Sequence, residues 1–148
     1  MLIYILVPIL ILALDIFTKY LAKTVFILND ITLIKDILYF TYVENRGAAF
    51  GIMQNKQWLF IVFTVVIILA MIIYLIKYKP QGKLLKLSLV FIMAGGVGNL
   101  IDRIRLGYVV DFIDVRIINY PVFNVADCFV VIGAVLLCGV ILFSKEIK

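Results

Sequence analysis

The sequence predicts an all-α membrane protein, in which four transmembrane helices carry a small extracytoplasmic β-sheet and loop cradle. Hydrophobic residues make up 66% of the 148 residues, and the mean hydropathy is +1.19, whereas soluble domains are about 45 to 50% apolar. Four apolar stretches approach or exceed the roughly 20 helical residues that cross a bilayer. No linker or internal repeat divides the sequence, so we expect residues 1–148 to form a single integral membrane domain.

The four predicted spans are joined by short connections, apart from one longer loop. The spans cover residues 2–21, 58–76, 84–104 and 122–143, and the longer loop covers residues 23–57. The first span lacks the basic start and the small-residue cleavage site of a signal peptide, so we expect it to be retained. An even number of spans leaves both termini on one side of the membrane.

The distribution of basic residues predicts which side that is. Lysines concentrate between the second and third spans and in the C-terminal tail: Lys77, Lys79, Lys83, Lys86, Lys145 and Lys148. Because cytoplasmic segments of membrane proteins are rich in lysine and arginine, we expect both termini to be cytoplasmic and the 23–57 loop to be outside. The net charge of +5 follows from this topology, and we expect no nucleic-acid partner.

The outer loop is predicted to contain a small sheet. Residues 37–43 are rich in β-branched and aromatic side chains, which is typical of strands. After this run, Gly47 permits a tight turn, and Ala48 and Ala49 permit close approach of another backbone. A turn resting on the helix ends and a loop that contacts a ligand both fit this pattern.

Polar residues of three spans are predicted to converge near the outer face. At about 1.5 Å of rise per residue, Asp15 lies about 20 Å along the first span and Asn99 roughly 22 Å along the third, while Asp127 lies near the start of the fourth. Three groups share a helix face by i, i+3 or i, i+4 spacing: Asp15 with Thr18 and Lys19, Asn99 with Asp102 and Arg103, and Asn124 with Asp127.

A purely structural role stays open as the alternative for these residues. Pairing of Lys19 with Asp15, and of Arg103 with Asp102, would make them a buried network that fixes helix packing. Residues 94–98, Ala-Gly-Gly-Val-Gly, are in turn interpreted as a small-residue surface for close helix contact rather than a phosphate loop.

Asp111 and Asp127 are the candidates for catalysis. Ionisable residues in membrane segments are costly and commonly functional, and Arg116 is the main cation that could neutralise this pair instead. The chain has no histidine, which excludes a serine triad and an HExxH zinc site. Cys128 and Cys138 therefore lack a histidine base and are interpreted as packing residues.

A carboxylate pair can catalyse hydrolysis without histidine. Repulsion between two close carboxylates keeps one of them protonated while the other is ionised, and the shared proton belongs to the pair. The ionised member can take a proton from water, and the protonated member can polarise a carbonyl group. The sequence does not indicate which aspartate holds the proton.

Five motifs occur in order along the chain: Asp15-x-x-Thr18-Lys19, Asn45-Arg46-Gly47-Ala48-Ala49-Phe50, Gly95-Gly96-x-Gly98-Asn99-x-x-Asp102-Arg103, Val109-Val110-Asp111-Phe112 and Phe123-Asn124-x-Ala126-Asp127. With the four predicted spans, these motifs make the chain resemble the lipoprotein signal peptidases, the signal peptidase II family. The resemblance implies an aspartic endopeptidase of the bacterial inner or plasma membrane. Such an enzyme removes the signal peptide from prolipoproteins by cleaving N-terminal to a diacylglyceryl-modified cysteine.

The resemblance also implies roles for individual residues. Asp111 and Asp127 match the catalytic dyad. The residues that match substrate-binding or supporting positions are Asp15, Asn45, Arg46, Gly47, Asn99, Arg103 and Asn124. The family further implies that no metal or organic cofactor is needed, that globomycin-like cyclic peptides and membrane lipids bind, and that the enzyme is a monomer.

Three other classes of protein remain as alternatives. A small transporter or proton-coupled carrier also uses membrane carboxylates, but more often near the midplane. A GxGD-type intramembrane protease has a glycine-flanked aspartate, where this chain offers Gly98-Asn99. A purely structural scaffold would not require asparagines beside the two aspartates.

Overall fold

The computed structural model describes residues 2–47, 53–118 and 120–143. Four helices in it are long and apolar enough to cross a membrane, which confirms the predicted fold class. Helix α1 runs over Ile3–Leu21 and continues into a π-helical turn at Ala22–Phe26. The other three are α2 at Gln57–Tyr78, α3 at Lys83–Leu106 and α4 at Val125–Phe143. Ala48, Ala49, Lys145 and Lys148 lie outside the described residues.

The predicted start of the fourth span, at residue 122, is three residues too early. Phe123 pairs with the backbone of the preceding strand: its nitrogen donates to the Ile113 carbonyl over 3.1 Å, and its own carbonyl accepts from Ile113 over 2.8 Å. Because these backbone groups are engaged with a strand, the helix begins only at Val125. Apolar composition alone does not distinguish a segment that pairs with a strand from the start of a membrane-spanning helix.

A three-stranded antiparallel sheet, in the order β1-β2-β3, lies at one end of the helices. Its strands are β1 at Ile31–Ile34, β2 at Leu38–Asn45 and β3 at Val109–Val115. The predicted strand at 37–43 corresponds to β2. The third strand comes from the connection between α3 and α4, and its register sets Val43 opposite Asp111.

Aromatic packing attaches the sheet to the end of α1. The Phe26 ring of the π-helical turn lies 5.1 Å from the Phe40 ring of β2 and 5.9 Å from the Phe112 ring of β3, measured between centroids. Phe26 and Phe112 are buried together with Ala22 and Val110. Burial of this cluster stabilises the position of β3, and with it Asp111, relative to α1.

Helix α3 packs against the other three helices, and glycines allow its closest contacts. A Cβ atom at Gly95 would overlap the Ala126 carbonyl oxygen, and one at Gly98 would lie 2.6 Å from an Asp15 oxygen. The interpretation of residues 94–98 as a close-contact surface is thereby confirmed. Helix α2, by contrast, has no buried residue over Gln57–Tyr78.

Candidate active site

Asn124 links Asp111 on β3 to Asp127 in the first turn of α4. Its Nδ2 donates to Asp111 Oδ1 over 2.6 Å, while its Oδ1 accepts from the Asp127 backbone nitrogen over 2.9 Å. In return, Asp127 Oδ2 accepts from the Asn124 backbone nitrogen over 3.2 Å. This reciprocal pattern is a capping box, which satisfies two backbone donors at the start of a helix. The structure that begins α4 therefore also brings the two carboxylates together.

Asp111 is buried, with 2% of its surface exposed, and a second amide holds it. Asn45 at the end of β2 donates from Nδ2 to Asp111 Oδ2 over 2.9 Å. The Asn45 Oδ1 atom accepts from the backbone nitrogen of Gly47 over 3.0 Å, which fixes the amide in this orientation. Burial, and then the negative charge of Asp127, raise the pKa of Asp111 to about 7 in spite of the Asn45 and Asn124 donors.

Asp127 is held from α3. Asn99 donates from Nδ2 to Asp127 Oδ1 over 2.7 Å. The Asn99 Oδ1 atom accepts from Asn124 Nδ2 and from Lys19 Nζ, each over 3.0 Å. Four of the residues named by the sequence, Asn99, Asn124, Asp111 and Asp127, thus form one continuous hydrogen-bonded group.

The pairing of Arg103 with Asp102, which the packing alternative required, is absent from the described part of the chain. Asp102 instead lies 3.1 Å from Lys19 Nζ, and Lys19 also contacts Asp15 Oδ2 over 2.8 Å. Adjacent residues of a helix point in different directions, so Asp102 faces α1 while Arg103 faces the cavity beside the aspartates. The predicted pairing of Lys19 with Asp15 is confirmed.

The Arg103 guanidinium lines the cavity beside the two aspartates and forms no ion pair with another described residue. Its central carbon is 5.1 Å from the centroid of the Phe60 ring of α2. Its buried Nε atom has no hydrogen-bond partner within residues 2–47, 53–118 and 120–143. Arg103 is therefore a donor available to a group that enters the cavity.

Two other arginines lie away from the aspartates. Arg46 is exposed and pairs with Glu44 over 2.8 Å, so the structure does not bring this predicted site residue to the carboxylate pair. Arg116 pairs with Asp114 over 2.6 Å and with Asp30 over 2.8 Å. These pairs exclude Arg116 as the main partner of Asp111 and Asp127 in the described part of the chain.

Two cavities adjoin the aspartates. A cavity of about 210 Å³ is lined by both carboxylates and by Asn45, Gly47, Arg103, Tyr120, Pro121, Val122, Phe123, Val130 and Val131. A neighbouring, more apolar cavity of about 420 Å³ is lined by Asp127, Val115, Ile118, Tyr120, Phe123, Cys128, Val131 and Ile132. Asp127, Tyr120, Phe123 and Val131 line both, so polar and apolar spaces meet at one end of the carboxylate pair.

Sequence reasoning did not name Lys19 or Asp102 among the site residues. Asp102 Oδ2 accepts a hydrogen bond over 3.1 Å from the backbone nitrogen of Val110, the residue that precedes Asp111. Lys19 lies in the sequence motif that contains Asp15, and Asp102 lies in the motif that contains Asn99. Membership of these motifs is the signal that could have identified both residues. Among the described residues, no three His, Cys, Asp or Glu side chains are grouped so that they could hold a metal ion.

The family model described as signal peptidase (SPase) II matches residues 7–143. The chain belongs to the signal peptidase II family. The lipoprotein signal peptidase of Caldanaerobacter subterraneus subsp. tengcongensis is 50% identical over 137 residues, which cover 91% of this chain and 92% of that protein. The lipoprotein signal peptidase of Clostridioides difficile is 44% identical over 146 residues, which cover 97% of each.

Solved structures agree with this assignment. A bacterial membrane enzyme solved at 2.3 Å has a TM-score of 0.87 and 33% identity, covering 98% of this chain and 89% of that one. Another, solved at 1.9 Å, has a TM-score of 0.85 and 34% identity, covering 96% and 94%. This member of the signal peptidase II family is therefore a peptidase and a multi-pass protein of a bacterial membrane.

Proposed function

We propose that the chain is an aspartic endopeptidase, which removes the signal peptide of prolipoproteins by cutting N-terminal to a diacylglyceryl-modified cysteine. The observation that carries the aspartic mechanism is the linkage of Asp111 and Asp127 through Asn124 at the wall of a cavity. The lipoprotein substrate is supported by the relatives, which are lipoprotein signal peptidases.

The electrostatics support a pair that shares one proton. With its pKa raised to about 7 by burial and by the charge of Asp127, Asp111 resists the simultaneous ionisation of both carboxyls near neutral pH. A pair with a single proton contains both a base for water and an acid for a carbonyl oxygen. The amide donors of Asn45, Asn99 and Asn124 orient the carboxylates without taking a proton from them.

The proposed reaction begins when the ionised carboxylate takes a proton from water and the water oxygen attacks the carbonyl carbon of the scissile bond. The protonated carboxyl gives its proton to the carbonyl oxygen, which yields a gem-diol. The C–N bond then breaks as one carboxyl passes its proton to the leaving nitrogen, and the other recovers a proton from a gem-diol hydroxyl. The pair ends with one proton, as it began.

The cavities support a lipid-modified substrate. The polar cavity can hold the peptide bond beside both aspartates, with the Arg103 and Asn45 donors near its carbonyl groups. The apolar cavity shares Asp127 with it and suits the acyl chains of a diacylglyceryl cysteine. Such a substrate keeps its chains in lipid while its scissile bond meets water.

The remaining assignments are part of the same proposal. Asn45, Gly47, Asn99, Arg103 and Asn124 bind substrate or support the dyad, and globomycin-like cyclic peptides and membrane lipids occupy the same cavities. Asp15 supports α4, because its Oδ1 atom accepts from the Ala126 backbone nitrogen over 2.9 Å. Arg46, whose guanidinium lies 5.3 Å from the Tyr108 ring, is assigned a substrate-binding or supporting role between Asn45 and Gly47. The enzyme works as a monomer without a metal or organic cofactor, with both termini cytoplasmic and the site near the outer face.

The test is cleavage of a synthetic signal peptide, with and without diacylglycerol on its cysteine, by the purified protein in detergent. Asp111→Asn and Asp127→Asn should each abolish turnover, because the single-proton pair is lost. Asp114→Asn is the matched control, since Asp114 lies on the same strand but pairs with Arg116. It should keep its activity.

The outcomes separate the parts of the proposal. Lipid-dependent cleavage at the bond before the cysteine, lost in both dyad variants, supports the substrate and the mechanism together. Substantial activity in either folded Asp→Asn variant would contradict the dyad. Equal cleavage of the peptide without lipid would contradict the lipid requirement alone.

A further inference from the structure

Lys19 is a buried cation inside a membrane-spanning helix, with 4% of its surface exposed. Its Nζ atom lies 2.8 Å from Asp15 Oδ2, 3.1 Å from Asp102 Oδ2 and 3.0 Å from Asn99 Oδ1. The ammonium donates a hydrogen bond to Asn99 and forms ion pairs with Asp15 and Asp102. These three contacts hold the side chain between α1 and α3.

Each of the three acceptors also holds a group next to the dyad. Asn99 donates to Asp127 Oδ1 over 2.7 Å. Asp102 accepts from the backbone nitrogen of the residue before Asp111, over 3.1 Å. Asp15 accepts from the backbone nitrogen of the residue before Asp127, over 2.9 Å. The Lys19 ammonium therefore lies behind both carboxylates. One residue, Asn99, Asp102 or Asp15, separates it from Asp127 and from the backbone nitrogens of Val110 and Ala126.

Lys19 does not line the cavity of about 210 Å³ beside the dyad. It lines a separate cavity of about 190 Å³ between α1 and α3, together with Asp102 and Val110. Because the two cavities share no lining residue, a substrate at the dyad does not touch the Lys19 side chain. Any effect of Lys19 on the reaction must pass through its three acceptors or through its charge.

We propose that Lys19 is a positioning residue for the aspartic reaction, which orients Asn99, Asp102 and Asp15 behind the dyad and electrostatically favours its singly ionised form. This inference rests on the proposed function. Among the described residues, the charged and titratable groups that face this region are Asp15, Lys19 and Tyr20 of α1, Lys23 of the π-helical turn, Asp102, Arg103 and Arg105 of α3, Asp111 of β3, Tyr120, and Asp127 and Cys128 of α4. Lys19 is the cation that contacts both Asp15 and Asp102.

Removal of Lys19 takes away the cation that contacts Asp15 and Asp102, while Arg103 still lines the cavity beside the dyad. The positive charge of Lys19 favours ionisation of the pair, because an opposite charge stabilises the ionised form, and it opposes the effect of burial on Asp111. Without Lys19, the pair therefore needs a higher pH to lose its first proton as well as its second. The acidic limb of the pH–rate profile reports that first ionisation. A neutral residue at position 19 should therefore move this limb to higher pH.

The experiment compares Lys19→Met with the wild-type chain in the lipidated-peptide assay, as a function of pH. Lys23→Met is the matched control, because Lys23 lies one turn further along the same helical segment and is exposed. In Lys19→Met, the acidic limb should shift upward by about one unit. The kcat below the limb should then fall about tenfold, with KM unchanged. Lys23→Met should match the wild type in both quantities.

Lys19→Met leaves Asp15 and Asp102 without their cation, which can prevent folding. The double variant Lys19→Met/Asp15→Asn removes one ion pair as a unit and retains an acceptor for the Ala126 nitrogen. Thermal unfolding in detergent identifies the folded variants. The same upward shift of the limb in the folded double variant supports the proposal.

A folded variant with the wild-type limb and kcat overturns the proposal, and so does a change confined to KM. Failure of both variants to fold assigns Lys19 to structure alone and also overturns it. The wild-type assay distinguishes these outcomes from failure of the proposed function, since a folded wild-type protein that cleaves no lipidated peptide contradicts that function directly.

Discussion

At the scale of the residue, Asn124 serves the helix and the site at once. Its amide caps α4 through Asp127 and holds Asp111 on the neighbouring strand. The sequence predicted that Asn124 and Asp127 lie on one helix face, because i, i+3 spacing is local information. It could not predict the hydrogen bond to Asp111, since that contact depends on where β3 lies in the folded chain.

The Lys19 contacts show the same boundary between local and tertiary information. The Lys19–Asp15 pair was predicted from i, i+4 spacing and is present. The Arg103–Asp102 pair belonged to the alternative packing network and is absent from the described residues, because neighbouring helical residues do not face each other. Asp102 finds its cation on α1, a partner that only the packing of two helices reveals.

The buried Asp111 predicts a specific pH dependence of stability. Its pKa is raised from an ordinary 3.8 to about 7 by burial and by Asp127. Between these values the folded protein keeps a proton that the unfolded chain has lost, so the contribution of Asp111 to stability is greatest below about pH 4 and is lost as pH rises through about 7. Asp111→Asn cannot ionise. Its free energy of unfolding should therefore fall less than that of the wild type over this range.

Thermal unfolding in detergent at several pH values from 4 to 8 measures this difference. The comparison uses the change with pH rather than absolute stability, because an asparagine at position 111 also alters the contacts with Asn45 and Asn124. Parallel curves for the two proteins would contradict the raised pKa of Asp111. Asp114→Asn on the same strand serves as the control.

At the scale of the element, the order of the helices was predictable and the full sheet was not. Spans of about 20 apolar residues are signalled by composition alone. Strand β3, by contrast, is a short run of mainly apolar residues between two spans, and its pairing partner on β2 lies far away in the sequence. No local period distinguishes such a strand from the start of a helix, which also explains the early start predicted for the fourth span.

The contact between α3 and α4 predicts different effects for adjacent glycines. In Gly95→Ala the new methyl group would overlap the Ala126 carbonyl oxygen and lie 2.7 Å from a Val130 methyl carbon. In Gly96→Ala its nearest neighbours, on α2, would lie at an ordinary 3.6 Å. Overpacking of a close contact costs about 1–3 kcal/mol, so Gly95→Ala should be destabilised by that order and lose activity.

Thermal unfolding and peptide cleavage of both variants check this prediction. Gly96→Ala is the matched control, because it adds the same methyl group one residue away and should remain near the wild type. Equal stability of the two variants would mean that α3 and α4 are not in close contact at Gly95.

At the scale of the whole molecule, the charge distribution predicts the orientation. Lys77, Lys79, Lys83 and Lys86 lie at or near the connection between α2 and α3, whereas the sheet lies at the opposite ends of these helices. The positive-inside rule assigns the lysine-rich end to the cytoplasm. We therefore expect the sheet, the two aspartates and their cavity to lie at the outer face.

Cysteine labelling in intact cells tests this orientation. In a chain with Cys128 and Cys138 replaced by alanine, a membrane-impermeant maleimide should label Lys35→Cys in the sheet connection without cell lysis. Gln81→Cys, in the connection between α2 and α3, should react only after lysis. Both positions are exposed, so accessibility across the membrane decides the result. The reverse pattern would invert the topology.

The buried aspartate has a practical consequence in a chain that contains no histidine. Histidine is the side chain whose ordinary pKa lies between 5 and 8, and most proteins exchange protons in that range at many sites. Here Asp111, whose pKa is raised to about 7, is such a group. The heat of inhibitor binding, measured by calorimetry in buffers of different ionisation enthalpy, would therefore count the protons gained or lost at the dyad against a low background.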